Sequence, residues 1–377
     1  MTAKRTYVVD ARTATPHFPG IGRYVTGLLP ALAAQLAPGE RLAILCTDDA
    51  QVADLQKNMN FWPNTTYFIA PDSPFSLGQQ WSVPRLLRRM PAPAVYHSPY
   101  YLMPYRPGIP AVATIHDLIP LLYPQTVSLR ARLLFRIAVR LALRAADRVI
   151  AGAEASRRDL VRILGVDPAR VAVTPYAAGP NFHPRPSAEI DRVRRQFALP
   201  DEYILYFGSN KPHKNLVTLV QAYATMAAET GARLVIAGYW DAAYPESRRR
   251  AEALGLGERV RFLGPVDEAD APALYSGATC FVFPSRYEGF GLPVLEAMAC
   301  GAAVACSNTS SLPEVGGDAA LYFAPEDIDG LAHALRRLIS DPVLRQTLAQ
   351  KGLEQARRFS WSRTATQTLE VYRSLVD

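Results

Sequence analysis

A regular alternation of short apolar segments with helical patterns limits the possible folds of this chain more than any other feature. The apolar segments are five to eight residues long, and several are followed by a stretch with helical spacing, such as GRYVTGLLPALAAQL. Alternation of this kind is typical of parallel sheets covered by helices. We therefore predict an α/β fold with two doubly wound parallel sheets, built from TYVVDA, RLAILCT, TYFIA, AVYHSP, AVATIHD, RVIAGA and RVAVTP, and then from EYILYFGS, ARLVIAG, VRFLG, CFVFPS, AAVACS and AALYFA.

A proline-rich stretch separates the two sets of strands. TPYAAGPNFHPRPS contains four prolines and reads as an interdomain linker. We expect one domain over residues 1–180 and a second over 187–359, with a C-terminal helix at about 360–377 whose pattern allows it to pack back on the first domain. Ligands of open α/β sheets bind at the carboxyl ends of the strands, and a pair of such domains creates a cleft between them. The loops that follow strands are therefore the expected site.

Composition excludes several other classes of protein. Of the 377 residues, 49% are apolar and 20% are charged, which is usual for a globular chain and unlike a disordered one. No apolar run reaches the ~18 residues of a membrane-spanning helix, and the first residues lack the apolar core of a secretory signal. The four cysteines form no C-x-x-C pair, so we expect them to be reduced and buried, and the protein to be cytoplasmic.

Positive charge is concentrated in the first half of the chain. Residues 1–184 contain 20 Lys and Arg against 11 Asp and Glu, which favours an acidic partner. Within VSLRARLLFRIAVRLALRAADRVI the arginines Arg132, Arg136, Arg140, Arg144 and Arg148 recur every four residues, with Leu133, Leu134, Ile137, Leu141 and Val149 on other faces. The stripe is either the solvated face of an amphipathic helix or a contact with an anionic membrane. No nucleic-acid-binding motif accompanies it.

The segment FVFPSRYEGFGLPVLEAMACG, residues 281–301, carries the most specific chemical pattern. An apolar strand leads to Glu288 and then to Gly289-Phe290-Gly291. The segment LPVLEAMAC is predicted to be a short helix, with Pro293 in its first turn and Gly301 as its C-terminal stop. The glycines let backbone amides approach a ligand, and a helix N-terminus favours anions. Glu288 and Glu296 would then face one ligand at different depths; the alternative is one solvated and one capping glutamate.

This segment resembles the paired-glutamate signature of retaining glycosyltransferases of family 4, and the resemblance continues to about residue 327. It implies two facing Rossmann-like domains with an interdomain cleft, the GT-B arrangement. It also implies transfer of a sugar from a nucleotide diphosphate donor to an acceptor hydroxyl, with the α configuration retained. Glu288 would bind the donor sugar, Glu296 the donor ribose, and the amides of Gly289, Phe290, Gly291 and Leu292 the diphosphate.

Three other segments extend the resemblance. FGSNKPHKNLVTLVQAY (207–223) resembles the phosphate-binding loop of the family, where Lys214 would neutralise the leaving diphosphate and Lys211 or His213 would replace the arginine that many members carry. FPGIGRYVTGLL (18–29) resembles the first glycine loop, with Gly20 and Gly22 after the first strand and before a helix. ATIHDL (113–118) resembles the strand-end His-Asp, so that His116 would contact the donor sugar and Asp117 would orient it or the acceptor. Tyr100 and Tyr101, after another strand, are candidates for the acceptor side.

Taken together, the resemblance implies a mannosyltransferase-like enzyme of polysaccharide or glycolipid assembly that uses GDP-mannose. A donor of UDP-glucose or UDP-N-acetylglucosamine stays open, as does a UDP-sugar epimerase on the same fold or a non-catalytic module. No Asp-x-Asp metal site stands out, so we expect no metal or other cofactor. The expected partners are the nucleotide sugar, a carbohydrate or lipid-linked acceptor, and an anionic membrane at the arginine stripe, on the inner face of the membrane.

Overall fold

The computed structural model describes residues 5–15, 19–58 and 64–376. The chain divides into two compact units, one formed by Met1–Ala177 with Ser360–Asp377 and the other by Ala178–Phe359. Each unit is described separately below.

The first unit is built on a seven-stranded parallel sheet with the order β3-β2-β1-β4-β5-β6-β7. Its strands are β1 (Arg5–Asp10), β2 (Glu40–Cys46), β3 (Thr65–Ile69), β4 (Pro93–Ser98), β5 (Ala111–Thr114), β6 (Arg148–Ala151) and β7 (Val171–Val173). The helices of this unit are α1 (Pro19–Ala33), α2 (Asp49–Asn58), α3 (Gln79–Leu87), α4 (Ile119–Leu122), α5 (Leu129–Ala145), α6 (Glu154–Leu164) and the C-terminal helix, Trp361–Arg373. The C-terminal helix packs against α1.

The second unit contains a six-stranded parallel sheet with the order β10-β9-β8-β11-β12-β13. Its strands are β8 (Tyr203–Phe207), β9 (Arg233–Ala237), β10 (Val260–Gly264), β11 (Cys280–Phe283), β12 (Val304–Ser307) and β13 (Ala320–Phe323). Its helices are α7 (Ser187–Gln196), α8 (Leu216–Ala224), α9 (Glu246–Ala253), α10 (Ala271–Ser276), α11 (Leu292–Ala299), α12 (Leu312–Gly316), α13 (Ile328–Ser340) and α14 (Pro342–Ala356), so the C-terminal helix of the first unit is α15.

The two parallel sheets confirm the predicted fold class, and each apolar segment named above forms a strand. The central strands are buried on both sides, as in β8, where all five residues are inaccessible or nearly so. All four cysteines are free and buried, as expected. No helix of the described residues is long and apolar enough to cross a bilayer.

Both sheets reverse their strand order at one point. In the first sheet the reversal lies between β1 and β4, and in the second it lies between β8 and β11. Open α/β sheets bind ligands at the carboxyl ends of the strands beside such a reversal. The loops after β1, β4, β8 and β11 are therefore the places where functional side chains are expected.

Helix α5 differs from its prediction in two ways. It ends at Ala145, so Arg148 lies in β6 instead of extending the arginine stripe. In addition, its buried side chains are Phe135, Val139, Ala142 and Leu143, while Leu133, Leu134 and Ile137 are exposed among the arginines. The sequence pattern predicted that these three side chains lie on faces away from the arginines. In the structure, α5 buries a different set of side chains, and Leu133, Leu134 and Ile137 remain exposed.

Candidate active site

An ion pair joins the loops that follow β8 and β11 in the second unit. Lys214 Nζ lies 2.6 Å from Glu288 Oε1, and both side chains are largely buried. The ammonium also lies 5.3 Å from the centre of the Phe283 ring, a cation–π distance. Because β8 and β11 flank the strand-order reversal, the pair occupies the position where a doubly wound sheet binds ligands. Two residues that are 74 positions apart in sequence thus meet at one point.

Hydrogen bonds tie these two loops together. The Asn215 amide donates to the carbonyl oxygens of Pro284 (3.1 Å) and Pro325 (2.7 Å). The amide of Arg286 donates to the carbonyl of His213 at 2.8 Å. Asn215 adopts the left-handed conformation, with φ of 61°, at the end of the turn Pro212–Lys214. This anchoring holds the Lys214 side chain toward Glu288 before any ligand arrives.

Hydrogen bonds also fix the backbone at Glu288. Its amide donates to Ser310 Oγ at 2.9 Å, and its carbonyl accepts from Ser311 Oγ at 3.0 Å. Gly291, with φ of 103°, is the N-cap of α11, and a Cβ there would lie 2.8 Å from Leu312 Cδ2. The backbone angle therefore favours glycine, and a larger residue would also have to displace the Leu312 side chain. The loop ends at Gly291, where α11 begins. The amides of the first turn of a helix have no hydrogen-bond partners within that helix.

Two other residues of the same motif, Glu296 and Phe290, have buried side chains. Glu296 is only 1% exposed, and Tyr275 Oη donates to its Oε2 at 3.2 Å. The Phe290 side chain is buried against Phe359, with ring centres 5.9 Å apart. The Phe290 side chain therefore packs in the core. The structure pairs Lys214 with Glu288 and joins Glu296 to Tyr275.

The two candidates for the missing loop cation differ sharply. His213 is buried, and burial, with the neighbouring charges of Lys214 and Lys211, lowers its pKa to about 2. It is neutral at physiological pH and cannot replace an arginine, whereas Lys211 is exposed. Two buried polar atoms in these loops, His213 Nδ1 and Ser285 Oγ, have no hydrogen-bond partner among the described residues. A polar group of a ligand could pair with these two atoms.

In the first unit, His116 follows β5 and is held at both ring nitrogens. Nε2 lies 2.8 Å from the carbonyl oxygen of Pro99, and Nδ1 lies 2.8 Å from Tyr176 Oη. The carbonyl can only accept, so we assign the proton to Nε2, and Nδ1 accepts from the tyrosine hydroxyl. Burial lowers the His116 pKa to about 4. The ring is therefore a neutral imidazole of one defined tautomer.

Tyr176 and its surroundings were missed by sequence reasoning, because a lone tyrosine after a strand has no motif. Its ring stacks with Trp361, at 6.4 Å and 11°, and lies 4.8 Å from the ring of Tyr24, which meets His116 edge to face. A Cβ on Gly152 would lie 2.6 Å from Tyr176 Cζ, and one on Gly27 would overlap the Trp361 ring. Two glycines thus make room for the aromatic rings that orient His116.

A second buried network adjoins this one. His97 Nε2 lies 2.7 Å from Thr114 Oγ1, and its Nδ1 lies 2.5 Å from Tyr372 Oη on α15. Thr114 also contacts Tyr24 Oη, at 3.2 Å. Burial lowers the His97 pKa to about 3. Helix α15 therefore contributes Trp361 and Tyr372 to the support of β4 and β5.

The remaining candidates of the first unit lie near His116. Tyr100 Oη donates to Tyr101 Oη at 2.9 Å, and the Tyr101 ring packs edge to face on Phe135. Asp117 Oδ1 accepts from the amide of Ile119 at 2.9 Å, and the Asp117 charge contributes to the raised pKa of Tyr100, Tyr101 and Tyr176. The structure therefore groups these side chains with His116 at the carboxyl edge of the first sheet.

The first glycine motif differs from its prediction. Gly20 and Gly22 lie inside the first turns of α1, which begins at Pro19, and do not form a loop before it. Phe18, the first residue of the motif, lies outside the described residues. Among the described residues, a Cβ on Gly20 would meet nothing within 4 Å, and one on Gly22 would make only ordinary contacts with Thr15 and Ala14. Packing against this part of the chain therefore explains neither glycine. Among the residues with described positions, no cluster of His, Cys, Asp and Glu could hold a metal ion.

Comparison with known families assigns both units. The family model for glycosyl transferases group 1 matches residues 187–355, and the model for Glycosyltransferase Family 4 matches residues 19–177. Solved structures share the fold over nearly the whole chain. Sucrose-phosphate synthase from Thermosynechococcus elongatus has a TM-score of 0.74 at 24% identity and covers 99% of both chains. Anabaena HepE in complex with UDP-glucose has a TM-score of 0.77 at 21% identity, covering 98% of this chain and 99% of that one. The two family models define a glycosyltransferase, and the structural matches show that its fold is GT-B.

Curated relatives narrow the assignment. The O-antigen chain mannosyltransferase B of Escherichia coli is 36% identical over 291 residues, which are 74% of each chain. The serotype-specific mannosyltransferase WbdA of Escherichia coli is 34% identical over 277 residues, 70% of this chain but only 33% of WbdA. The chain belongs to glycosyltransferase family 4, and its relatives include mannosyltransferases.

Proposed function

We propose that this protein is a retaining mannosyltransferase that transfers mannose from GDP-mannose to an acceptor hydroxyl in polysaccharide or glycolipid assembly. The buried Lys214–Glu288 pair beside the strand-order reversal of the second sheet carries the proposal. It offers a cation for the diphosphate and a carboxylate for the sugar hydroxyls within one loop cluster. The names of the two mannosyltransferase relatives support the choice of sugar.

Departure of the diphosphate is the step that most needs help from the protein. As the bond from the sugar carbon to the phosphate oxygen breaks, negative charge grows on the diphosphate and positive charge on the sugar. Lys214 and the amides of Gly289, Phe290, Gly291 and Leu292 would stabilise the negative charge, and a preorganised donor of this kind contributes roughly 3–4 kcal/mol. Lys211 would add a second, solvent-exposed positive charge. Glu288 holds Lys214 in place beforehand and would accept hydrogen bonds from the donor sugar.

His116 would support the donor sugar as a neutral surface near the reacting carbon. Both of its ring nitrogens are already bonded, so its position and tautomer are set by Tyr176 and Pro99 and not by the substrate. Glu296 would accept hydrogen bonds from the donor ribose. Gly20 and Gly22 would let the start of α1 approach the diphosphate and the sugar.

Retention of configuration requires either two displacements or attack on the face that the diphosphate leaves. No carboxylate is nominated as a nucleophile, so we propose the second route. The acceptor oxygen bonds to the sugar carbon, the bond to the diphosphate breaks, and the acceptor proton passes to a phosphate oxygen. Lys214 and backbone dipoles would supply the charge stabilisation that a metal provides elsewhere, so we propose that the reaction is metal-independent. Tyr100, Tyr101 and Asp117 would line the side of a carbohydrate or lipid-linked acceptor.

A ligand panel tests the proposal. Stability of the purified protein is measured in EDTA with GDP, GDP-mannose, UDP, UDP-glucose and UDP-N-acetylglucosamine. A ligand that binds only the folded state stabilises it by about 2.7 kcal/mol at a hundredfold excess over Kd. We expect a shift with GDP and GDP-mannose, followed by transfer to an acceptor with the α configuration retained in the product NMR spectrum. A gain in stability with the UDP ligands alone would rule out GDP-mannose as the donor. Conversion of a UDP-sugar without an acceptor would indicate an epimerase instead.

A further inference from the structure

Helix α5 carries an exposed apolar face that the sheet does not cover. Leu129, Leu133, Leu134 and Ile137 are 83%, 59%, 57% and 49% exposed. Leu129, Leu133 and Ile137 follow one another at intervals of four residues, so they form one stripe along the outer side of the helix. The side chains that anchor α5, Phe135, Val139, Ala142 and Leu143, lie on its other side. Four large aliphatic side chains exposed together on one helix need an explanation.

Exposed arginines surround this stripe. Arg130, Arg132, Arg136, Arg140 and Arg144 all lie on the surface of α5, and the helix contains no Asp or Glu. None of the five is paired with an acidic side chain of the described residues, although arginines elsewhere in the chain form many such pairs, as Arg373 does with Glu40. The apolar stripe therefore lies within a continuous field of unpaired positive charge.

A second helix on the same core, α3, also carries exposed aromatic and basic side chains. Trp81 on α3 is 70% exposed, and Arg85 on the same helix is exposed as well. Gln80 of α3 hydrogen-bonds Met103 and Tyr105, and Tyr101, from the same segment, packs on Phe135 of α5. Helices α3 and α5 therefore flank one segment and bury their inner sides in one hydrophobic cluster. Aromatic and basic side chains that point outward from α3 continue the character of the α5 face.

We infer that the outer face of α5, with Trp81 of α3, docks onto an anionic lipid bilayer. A bilayer surface offers negative headgroups and, directly beneath them, hydrocarbon, which matches arginines interleaved with leucines on one helix. Arginine stems can lie along the apolar layer while the guanidinium groups remain at the headgroups. A purely solvated arginine face would leave the leucines without a role. This inference goes beyond the proposed reaction and does not depend on which donor the protein uses.

Sedimentation with large vesicles tests the inference on the full chain. We expect the protein to bind vesicles of phosphatidylcholine with 30 mol% phosphatidylglycerol and to bind pure phosphatidylcholine far more weakly. Each basic residue near an anionic surface contributes about fivefold to partitioning, so the R132Q/R136Q/R140Q/R144Q variant should bind several hundredfold more weakly. The matched variant R195Q/R249Q/R337Q/R357Q removes four exposed arginines of the second unit. Its vesicle binding should weaken much less, because only the net charge of the protein changes.

The apolar stripe is tested separately. The L133S/L134S/I137S variant keeps every arginine, and its substitutions lie on the surface, so its far-UV circular dichroism should match the wild type. We expect its vesicle binding to fall at least tenfold, while Val343→Ser, at an exposed apolar position in the second unit, leaves binding unchanged. Salt should weaken the wild type but not abolish its binding, since only the charge contribution is screened. Trp81 emission should shift to the blue on binding, and this shift should be absent in Trp81→Phe.

Three results would overturn the inference. The first is no binding to anionic vesicles at low salt. The second is binding that the second-unit arginine variant loses as completely as the α5 variant. The third is a wild-type dimer that L133S/L134S/I137S converts to a monomer in light scattering while vesicle binding is unchanged, because the stripe would then be covered by a second copy of the chain.

Discussion

The two units prepare their functional side chains in opposite ways. In the second unit, Lys214 and Glu288 form a charged pair whose partners come from loops far apart in sequence. In the first unit, His116 is neutral, bonded at both nitrogens and surrounded by the rings of Tyr24 and Tyr176. A charged pair can redistribute its charge when a diphosphate arrives, whereas a buried neutral ring can only orient what touches it. In the proposed reaction, the second unit would therefore stabilise charge and the first would position the sugar.

Substitution of Lys214 should have the largest effect on turnover. Lys214→Ala removes the cation proposed for the leaving diphosphate, and we expect kcat/KM to fall by about 10²–10³. Lys214→Arg should restore part of the rate, because a charge returns with different geometry. Release of nucleoside diphosphate measures the rate. Lys211→Ala is the matched control, and a larger loss there than at Lys214 would reverse the assignment of the two lysines.

Loss of Glu288 should approach the effect of losing Lys214. Glu288→Ala removes the partner that holds the ammonium and the proposed acceptor for the sugar hydroxyls, so we expect turnover to fall by orders of magnitude. Binding of the nucleoside diphosphate alone, measured by calorimetry, should decrease far less, because Lys214 remains. Near-normal turnover in Glu288→Ala would show that the chemistry lies elsewhere in the chain.

Acid should destabilise the first unit more steeply than the second. The pKa values of His97, His116 and His213 are lowered to about 3, 4 and 2, below the unfolded value of about 6.5. Each histidine is neutral in the folded state, and below about pH 6.5 it gains a proton on unfolding. The stabilisation that each neutral histidine provides is therefore fully present above about pH 6.5 and is lost as the pH falls below that value. The slope approaches about 1.4 kcal/mol per pH unit for each histidine. Two of the three lie in the first unit.

Hydrogen exchange of peptides from each unit, between pH 6.5 and pH 5 and corrected for intrinsic exchange, measures this difference. The range avoids the titration of carboxylates such as Glu40, whose pKa is lowered to about 2, mainly by Arg373 against the effect of burial. We expect the first unit to lose about twice the free energy that the second unit loses. Equal losses would mean that the neutral histidines of the first unit are not protected by their burial.

Tyr176→Phe should have a smaller effect confined to positioning. It removes one hydrogen bond to His116 Nδ1 and keeps the stacking on Trp361, so the cost is about 1 kcal/mol, or roughly a five- to tenfold lower kcat. The freed nitrogen can take a proton, so activity should become more sensitive to acid than in the wild type. An unchanged pH profile together with an unchanged kcat would rule out a positioning role for Tyr176.

Gly20→Ala should have the smallest effect on stability. A Cβ there meets nothing, and alanine favours the helix by up to about 1 kcal/mol, so Tm should stay the same or rise. If α1 approaches the donor at Gly20, turnover should nevertheless fall. Gly27→Ala in the same helix is the contrast, because its Cβ would overlap Trp361 and destabilise the unit. Full activity in Gly20→Ala would remove the start of α1 from the proposed donor site.

The sequence alone determined the elements of both units. A local apolar run bounded by turn residues extends over only a few positions, so the named strands could be predicted from the sequence. Helix α11 could be predicted as well, and it ends at Ala299, one residue before the predicted end at Cys300. The extended motif around Glu288 likewise led to the family, because its spacing lies within one continuous segment.

Only the tertiary structure decided which polar groups meet and which side chains remain outside. Lys214 reaches Glu288 because parallel strands bring distant loops to one edge of the sheet, and Tyr176 reaches His116 for the same reason. Burial made His213 neutral, although its residue type had suggested a cation. Leu133 and Ile137 are exposed because α5 has one buried side, which Phe135 and Val139 already fill. Each of these outcomes depends on neighbours distant in sequence, which no local pattern contains.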